Sequence, residues 1–350
     1  VVARLNSSDQ PVAWFKDGRK LIVLVDSLLR APAESVGSGL TAVSREGATR
    51  NLVSGKKAVF MNGFLGAGVP NLEPLRAQLA DKGFEVQVET LTAETGPSLA
   101  GLDLLLASSH ALVDESRTGV KKLFYGSTTE VTRETSQLYR QQIADEKMVE
   151  VVTRIYSGPR TYETKVFYGL SQAYLQERGM SFRPGAFWLS NACHSARQPA
   201  IAFADTIPGL TCYTGWNGAA LNITADETTA FVFDRLLGVF AATPTDPAPP
   251  GPLTTPELKE RLTVVRSTGG LRMDQSRNTK DIVVDHVVHR PSGAAQANQT
   301  LIPSIRSATL NATEETVTID GFFGTQQGPV TLNGTIQNVL SWGETSIVID

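Results

Sequence analysis

The chain has 350 residues, which on ordinary domain sizes predicts one large domain with an appendage, or two to three domains. Apolar residues make up 41% and charged residues 19%, with 30 Gly and 18 Pro; this is a globular composition that excludes a fibrous or disordered chain. The net charge of −3 argues against nucleic acid as a main partner, and no apolar run reaches the ~18 residues that a membrane-spanning helix needs.

Cys193 and Cys212 are the two cysteines, too few for a disulfide framework or a zinc ribbon. The sequence begins at Val1 and reads as a fragment or mature piece of a longer chain. Residues 1–55 predict short strands at 12–14, 21–25 and 40–44, separated by turns such as Lys16-Asp17-Gly18. The apolar run 58–61 ends in the glycine-rich loop Asn62-Gly63-Phe64-Leu65-Gly66-Ala67-Gly68. That loop lacks the Gly-Lys-Ser/Thr ending of a phosphate loop, so it predicts a tight strand-to-helix turn beside a cleft. Asn71 can cap a helix over 72–82 that stops at Gly83. Alternation at Phe84, Val86 and Val88 and the apolar run 102–107 add two strands, and a parallel sheet covered on both faces is expected.

Further on, Ser127-Thr128-Thr129-Glu130 fits a capping box for a helix running toward Lys147. Residues 149–156 and 161–167 predict a hairpin about Ser157-Gly158-Pro159, followed by a helix over 169–178. Runs 186–192 and 210–216 are strands of the buried type, and a long helix is expected at about 226–240. The proline-rich stretch 243–256 reads as a linker or surface loop, and 257–290 as a helix followed by strands.

Two places carry possible chemistry. Ser108-Ser109-His110-Ala111 follows one buried strand, and Ser190-Asn191-Ala192-Cys193-His194-Ser195 follows another. Ligands of open parallel sheets bind at the carboxyl ends of strands, so a His and a Cys at two such ends can converge on one crevice. A cysteine is a nucleophile as thiolate, and a nearby imidazole can take its proton. Taken singly, each residue is also explained as a buried thiol or a capping histidine. His194 adjoins Cys193, but successive side chains point apart. Cys212 lies within its strand and reads as a core thiol. His286 and His289, three apart on an expected strand, fall on opposite faces, which argues against a shared metal.

The order and placement of these motifs resemble caspase-fold cysteine peptidases, the group holding caspases, gingipains, clostripain and CHAT-type proteases. Their His follows an apolar strand as Ser-His-Gly, here Ser109-His110-Ala111. Their Cys follows the next strand as a short apolar run and Ala-Cys, here Trp188-Leu189-Ser190-Asn191-Ala192-Cys193. Gly215-Trp216-Asn217, Asp226 and the helix around 231–240 match the downstream CHAT-type pattern. The resemblance spans about 56–242. It implies an α/β fold with a mostly parallel sheet and helices on both faces. It also implies Cys193 as nucleophile, His110 as general base, and an oxyanion hole of the Cys193 and Ala111 backbone N–H groups. Ala111 departs from the usual glycine. Asn191 replaces the Asp that clostripain-like relatives use for basic side chains. With Trp216 as an apolar wall and Asn191 and Asn217 uncharged, weak or no preference for Arg or Lys is expected unless Asp205, Asp226 or Glu227 is recruited.

Residues from 302 onward, with Ile302-Pro303-Ser304-Ile305, Thr318-Ile319-Asp320-Gly321-Phe322-Phe323-Gly324 and Trp342, resemble an Ig-like IPT/TIG module. That implies a β-sandwich used for display or adhesion, an extracellular or cell-surface setting, and a surface partner through the module. The expected organisation is a β-rich segment 1–55, an α/β domain 56–290 with its core at 56–242, and the module at 301–350. The expected activity is a cysteine endopeptidase acting on protein or peptide, with no cofactor or metal. The competing class is a non-catalytic surface protein with a degenerate caspase-like binding domain.

Overall fold

The computed structural model describes residues 2–5, 11–15, 20–23, 55–63, 72–116, 119–156, 162–238, 252–266, 270–277, 281–292, 300–323, 327–332 and 335–350. The expected strand at 40–44, the cap Asn71 and most of the 243–256 stretch lie outside them.

In chain order the elements begin with β1 (Val2–Leu5), β2 (Pro11–Trp14), β3 (Lys20–Val23), β4 (Lys56–Asn62), α1 (Leu72–Asp81), β5 (Phe84–Thr90), β6 (Leu102–Ser108), β7 (Ala111–Glu115) and β8 (Lys121–Glu130). They continue through α2 (Arg133–Leu138), α3 (Arg140–Ala144), β9 (Met148–Tyr156), β10 (Tyr162–Ser171), α4 (Gln172–Glu177), β11 (Phe182–Asn191), α5 (Gln198–Ala204), β12 (Leu210–Trp216) and α6 (Asn222–Leu236). Then follow α7 (Thr255–Arg261), β13 (Gln275–Arg277) and β14 (Val283–His289).

The central sheet has the order β13-β14-β12-β11-β6-β4-β5. β5, β4, β6, β11 and β12 run parallel, while β14 is antiparallel to β12. Both faces are buried, which is why the strands read as continuous apolar runs: every residue of β6 and of β12 is buried. One face packs Ala58, Phe60, Leu104, Leu106 and Phe187 against α1, α6 and α7 through Leu75, Leu79, Phe231, Leu236 and Leu258.

The other face departs from the expectation of helices on both sides. Val59, Leu105, Trp188 and Tyr213 pack against Ala111, Val113, Leu123, Tyr125, Tyr168 and Leu170, with short helices α4 and α5 at the margin. Those partners belong to a second sheet, β1-β2-β3-β9-β10-β8-β7. The expected capping box at 127–130 is the end of strand β8; the box sits at Thr132, whose hydroxyl accepts from Thr135 N–H. A Ser/Thr-rich segment with alternating burial obeys the strand period as well as the capping pattern, and pairing with β7 and β10 decides between them.

The N-terminal strands complete this second sheet, because β3 pairs in parallel with β9. Lys20 of β3 pairs with Asp114 of β7 and donates to the Glu115 carbonyl at 2.7 Å, although β9, β10 and β8 separate those strands in the order. The sheet therefore curls, and Val12, Ile22, Leu112, Phe124, Val149 and Val151 fill the inside of the curl. The 149–156/161–167 hairpin is present as β9 and β10. The helix expected over 169–178 is shortened to α4, and the one expected at 226–240 begins four residues earlier as α6.

The C-terminal region forms β15 (Ser304–Asn311), β16 (Thr316–Phe322), β17 (Thr331–Leu332), β18 (Thr335–Ile336), β19 (Val339–Trp342) and β20 (Ser346–Ile349). Four of these make an antiparallel sheet, β15-β16-β20-β19, and β17-β18 form a ribbon. A small apolar cluster of Ile319, Ile347 and Ile349 is joined by Phe323, Val330 and Trp342. Leu301 and Ile302, counted with this module by sequence, pack instead in the helical core of the α/β unit. Arg306 ties the two parts together through Glu257 of α7 at 2.7 Å.

Candidate active site

The parallel register between β6 and β11 pairs Ser108 with Asn191. His110 and Cys193 each lie two residues beyond that pair. Strands in register are about 4.8 Å apart, so the two residues leave neighbouring strand ends at the same level. The order β5-β4-β6 makes the chain step to one side of β4 and then to the other, and such a switch point opens a crevice at the carboxyl ends.

His110 marks the passage of the chain from the central sheet to the second one. Gly126 N–H donates to His110 O at 2.7 Å, and Ser116 N–H donates to Val120 O at 2.7 Å. Even-numbered residues of β7 therefore make the ladder bonds to β8, and Ala111, opposite Tyr125, holds a non-bonded position. Its N–H points away from β8, toward the outer edge of the strand, immediately after the histidine. Ala111 carries this N–H on ordinary extended strand backbone, without a positive φ. A glycine is needed instead at Gly63, whose N–H donates to Ser108 O at 2.8 Å. A Cβ there would collide with Gly126 O and the Ser109 side chain. The rest of the glycine-rich loop, 64–68, lies outside the described residues.

Cys193 is a partly exposed thiol that is not in a disulfide, its Sγ 3.7 Å from Ala220 O. It sits in a tight turn in which His194 adopts φ +59°, a left-handed conformation unusual for a side chain with a Cβ. The turn is fixed from several sides. His194 N–H donates to Gly218 O (2.9 Å), Ala196 N–H to Trp216 O (2.9 Å), and Trp216 N–H to Ser195 Oγ (3.1 Å). Gly215 is required here because a Cβ would strike Ser195. From below, Tyr213 OH donates to Ser195 O at 2.6 Å, and Tyr125 OH lies 2.9 Å from Ser190 Oγ and 3.3 Å from Tyr213 OH. Burial pushes the Tyr125 phenol up to about 12 and raises that of Tyr213 well above its ordinary value, so both stay neutral and act as hydrogen-bonding struts. This network joins the second sheet to the cysteine turn. Nothing in the spacing of the two tyrosines signals it.

The expected lining residues separate into two groups. Trp216 is 1% exposed and packs with Ala220, Ala225 and Val284, its ring 5.0 Å from that of His286. It is core, not a pocket wall, because β14 covers β12 on that side. Asn217 is exposed, but its side chain donates to Asp285 Oδ2 (3.3 Å) and accepts from Asp285 N–H (2.9 Å), tying β12 to β14. Asn191 and Asp226, by contrast, meet: Asn191 Nδ2 donates to Asp226 Oδ1 at 2.9 Å. Burial raises the Asp226 carboxyl to about 6, opposed by the Asn191 bond.

Of the other acids, Glu227 is engaged by Arg266 at 2.8 Å. Asp205 lies past the far end of α5, where it accepts from His289 Nε2 (2.9 Å) and Ser292 N–H (2.8 Å). Burial alone would raise its carboxyl, and these bonds hold it below the usual value. His286 and His289 are thus separately engaged, as their spacing predicts. Cys212 is fully buried and its thiol is pushed up to about 12. Among the described residues no group of three or more His, Cys, Asp or Glu could hold a metal ion, and no helix is long and apolar enough to cross a membrane.

Comparison with protein-family models, curated proteins and solved structures finds no match to this chain. The class that the architecture defines is a mixed α/β chain, rich in strands, with an antiparallel β-rich C-terminal region.

Proposed function

We propose that the α/β unit is caspase-like and that the protein is a cysteine endopeptidase in which His110 and Cys193 form the catalytic dyad. The observation that carries this reading is the Ser108–Asn191 register, from which a histidine and a cysteine emerge together at adjacent parallel strand ends. The strained turn at His194 and the outward Ala111 N–H support it further.

In the reaction, His110 takes the Cys193 proton and Sγ attacks the peptide carbonyl carbon. The carbonyl oxygen gains negative charge, which the Ala111 and Cys193 N–H groups stabilise. His110 then returns the proton to the leaving amine as the C–N bond breaks, leaving a thioester. Water, deprotonated by His110, attacks that thioester, and the C–S bond breaks to give the carboxylate product and free thiol. The C-terminal sheet is read as the Ig-like display module, with an extracellular or cell-surface setting.

The test is Cys193→Ala. It is expected to abolish peptide hydrolysis and to leave the thermal midpoint nearly unchanged, since the residue lies at a strand end rather than within the core. Hydrolysis at the wild-type rate in this variant refutes the dyad.

A further inference from the structure

We propose that the edge of the C-terminal sheet is a dimerisation surface: residues 307–311 of β15 pair, antiparallel and centred on Thr309, with the same residues of a second copy of this chain.

β15 is the terminal strand of its four-stranded sheet and is bonded on one side to β16. Every residue from Ser307 to Asn311 is exposed. A terminal strand carries a row of main-chain donors and acceptors that can template another strand, and monomeric proteins blunt such edges with charge, proline or bulges. In β15 the irregularity lies before this run, between Ile305 and Ser307. Ser307-Ala308-Thr309-Leu310-Asn311 itself contains neither a charge nor a proline. A regular, uncharged edge of five residues thus faces solvent.

Which main-chain groups point outward follows from β16. Gly321 N–H donates to Thr345 O, so the odd-numbered residues of β16 turn their groups toward β20 and the even-numbered ones toward β15. Ser307, Thr309 and Asn311 stand opposite Asp320, Thr318 and Thr316, and their groups are used in the ladder with β16. Ala308 and Leu310 stand opposite Ile319 and Val317 and direct their N–H and C=O to the outer edge. Antiparallel pairing centred on Thr309 sets Ala308 of each copy opposite Leu310 of the other. Both are outward residues, so each such pair exchanges two bonds. The two pairs together make four bonds and use every outward group of 308 and 310 in both copies.

The side chains fit the same register. Ala308 and Leu310 share the face of Ile319 and Val317, which belong to the small apolar cluster of the sheet, and Leu310 is 68% exposed there. Pairing lays each Leu310 beside the small Ala308 of the other copy and extends the apolar stripe across both sheets. On the opposite face Thr309 meets Thr309 in a non-bonded pair, where Cα atoms approach to about 4.5 Å, and Ser307 meets Asn311, a polar pair of the kind that stabilises neighbouring strands. Arg306 lies at one end of the run, and Glu314 and Glu315 lie past the other, so the antiparallel arrangement brings unlike charges together at both ends. The strand is its own complement in hydrogen bonding, size and charge, as a two-fold interface requires. Five residues a side is a small contact, which places the dimer in the weak class.

The experiment is sedimentation equilibrium of the full chain between about 5 and 500 µM, where weak, small interfaces dissociate. A reversible monomer–dimer equilibrium is expected within that range. Thr309→Lys and Thr309→Glu should each raise the dissociation constant at least tenfold, because like charges then face each other across the pair. An equimolar mixture of the two variants should dimerise to within threefold of wild type or more tightly. A monomer at every concentration overturns the proposal. So does a dimer indifferent to both substitutions, or a mixture no more dimeric than its components. Assemblies that grow beyond the dimer overturn the two-fold pairing, since an isologous contact closes on itself. A charge variant that lacks the wild-type melting transition is replaced by Ala308→Pro, which removes an outward N–H that β16 does not use. It should weaken the dimer at least tenfold, and an unchanged dimer in that variant overturns the proposal equally.

Discussion

The two thiols of this chain provide an internal test of the dyad. Cys212 is the reference: it lies in the middle of β12, has no solvent exposure, and its thiol is raised from 9.0 to about 12. That rise alone lowers its thiolate fraction at neutral pH about a thousandfold relative to an ordinary thiol, and burial slows access further. Cys193 is partly exposed at a strand end. Iodoacetamide at pH 6, with the labelled peptides quantified by mass spectrometry, should therefore modify Cys193 at least a thousandfold faster than Cys212. The perturbation is His110→Ala. If His110 takes the Cys193 proton, the substitution should slow Cys193 at least tenfold at pH 6 and leave Cys212 unchanged. The difference should shrink toward pH 9, where the thiol ionises unaided. A Cys193 rate indifferent to His110 at every pH would refute the dyad and favour a non-catalytic domain. Equal rates for the two cysteines would mean that the burial of β12 is wrong.

Other consequences follow from particular contacts. Removing 307–350 should leave any peptidase rate per folded molecule within about threefold, or about 0.65 kcal/mol of barrier. Removing 301–350 should instead cost about 3–6 kcal/mol in urea unfolding, because Leu301 and Ile302 are fully buried in the helical core. Equal stability of the two truncations would refute that boundary. Asp226 holds its proton more tightly when folded than when unfolded. Its penalty is therefore absent below about pH 4 and complete above about pH 6, at about 3 kcal/mol. Asp226→Asn should stabilise the protein at pH 7.5 and do little at pH 4; an equal effect at both values would show that ionisation is not the cause. Lys20→Met should destabilise by about 3–5 kcal/mol by leaving Asp114 buried without its cation, and adding Asp114→Leu should restore part of the loss. Additive losses in that double variant would show that the two residues do not act as a pair.

Much of the central sheet was legible because its strands are buried on both faces and carry unbroken apolar runs. Residues 58–61, 102–107 and 210–216 all fall on strands of that sheet, as does the run 186–192 but for Ala192, which lies just past the end of β11. The same runs placed His110 and Cys193 at strand ends. The segment 111–171 was less legible. Its strands β7, β8, β9 and β10 mix apolar with polar residues, and the Ser/Thr-rich end of β8 also fits a helix cap, so the capping box was expected at 127–130 although the helices toward Lys147, α2 and α3, begin only after Thr132. Trp216 looked available for substrate because an aromatic at a strand end is common to pocket walls and cores; the antiparallel return of β14 buries it.

Local sequence thus determined which segments are strands of the parallel sheet, where their carboxyl ends lie, and that a thiol and an imidazole occur at two of them. These depend on hydrophobic period and chain order, which are written residue by residue. Tertiary structure alone decided that β6 and β11 are neighbours in register, that a curled second sheet and not a helical layer covers one face, and that Asp226 meets Asn191. Each of those is a contact between residues distant in the chain: 35 positions separate Asn191 from Asp226, and 94 separate Lys20 from Asp114. No local propensity carries such pairings; they are set by which packing of the whole chain buries its apolar faces and leaves its polar groups bonded.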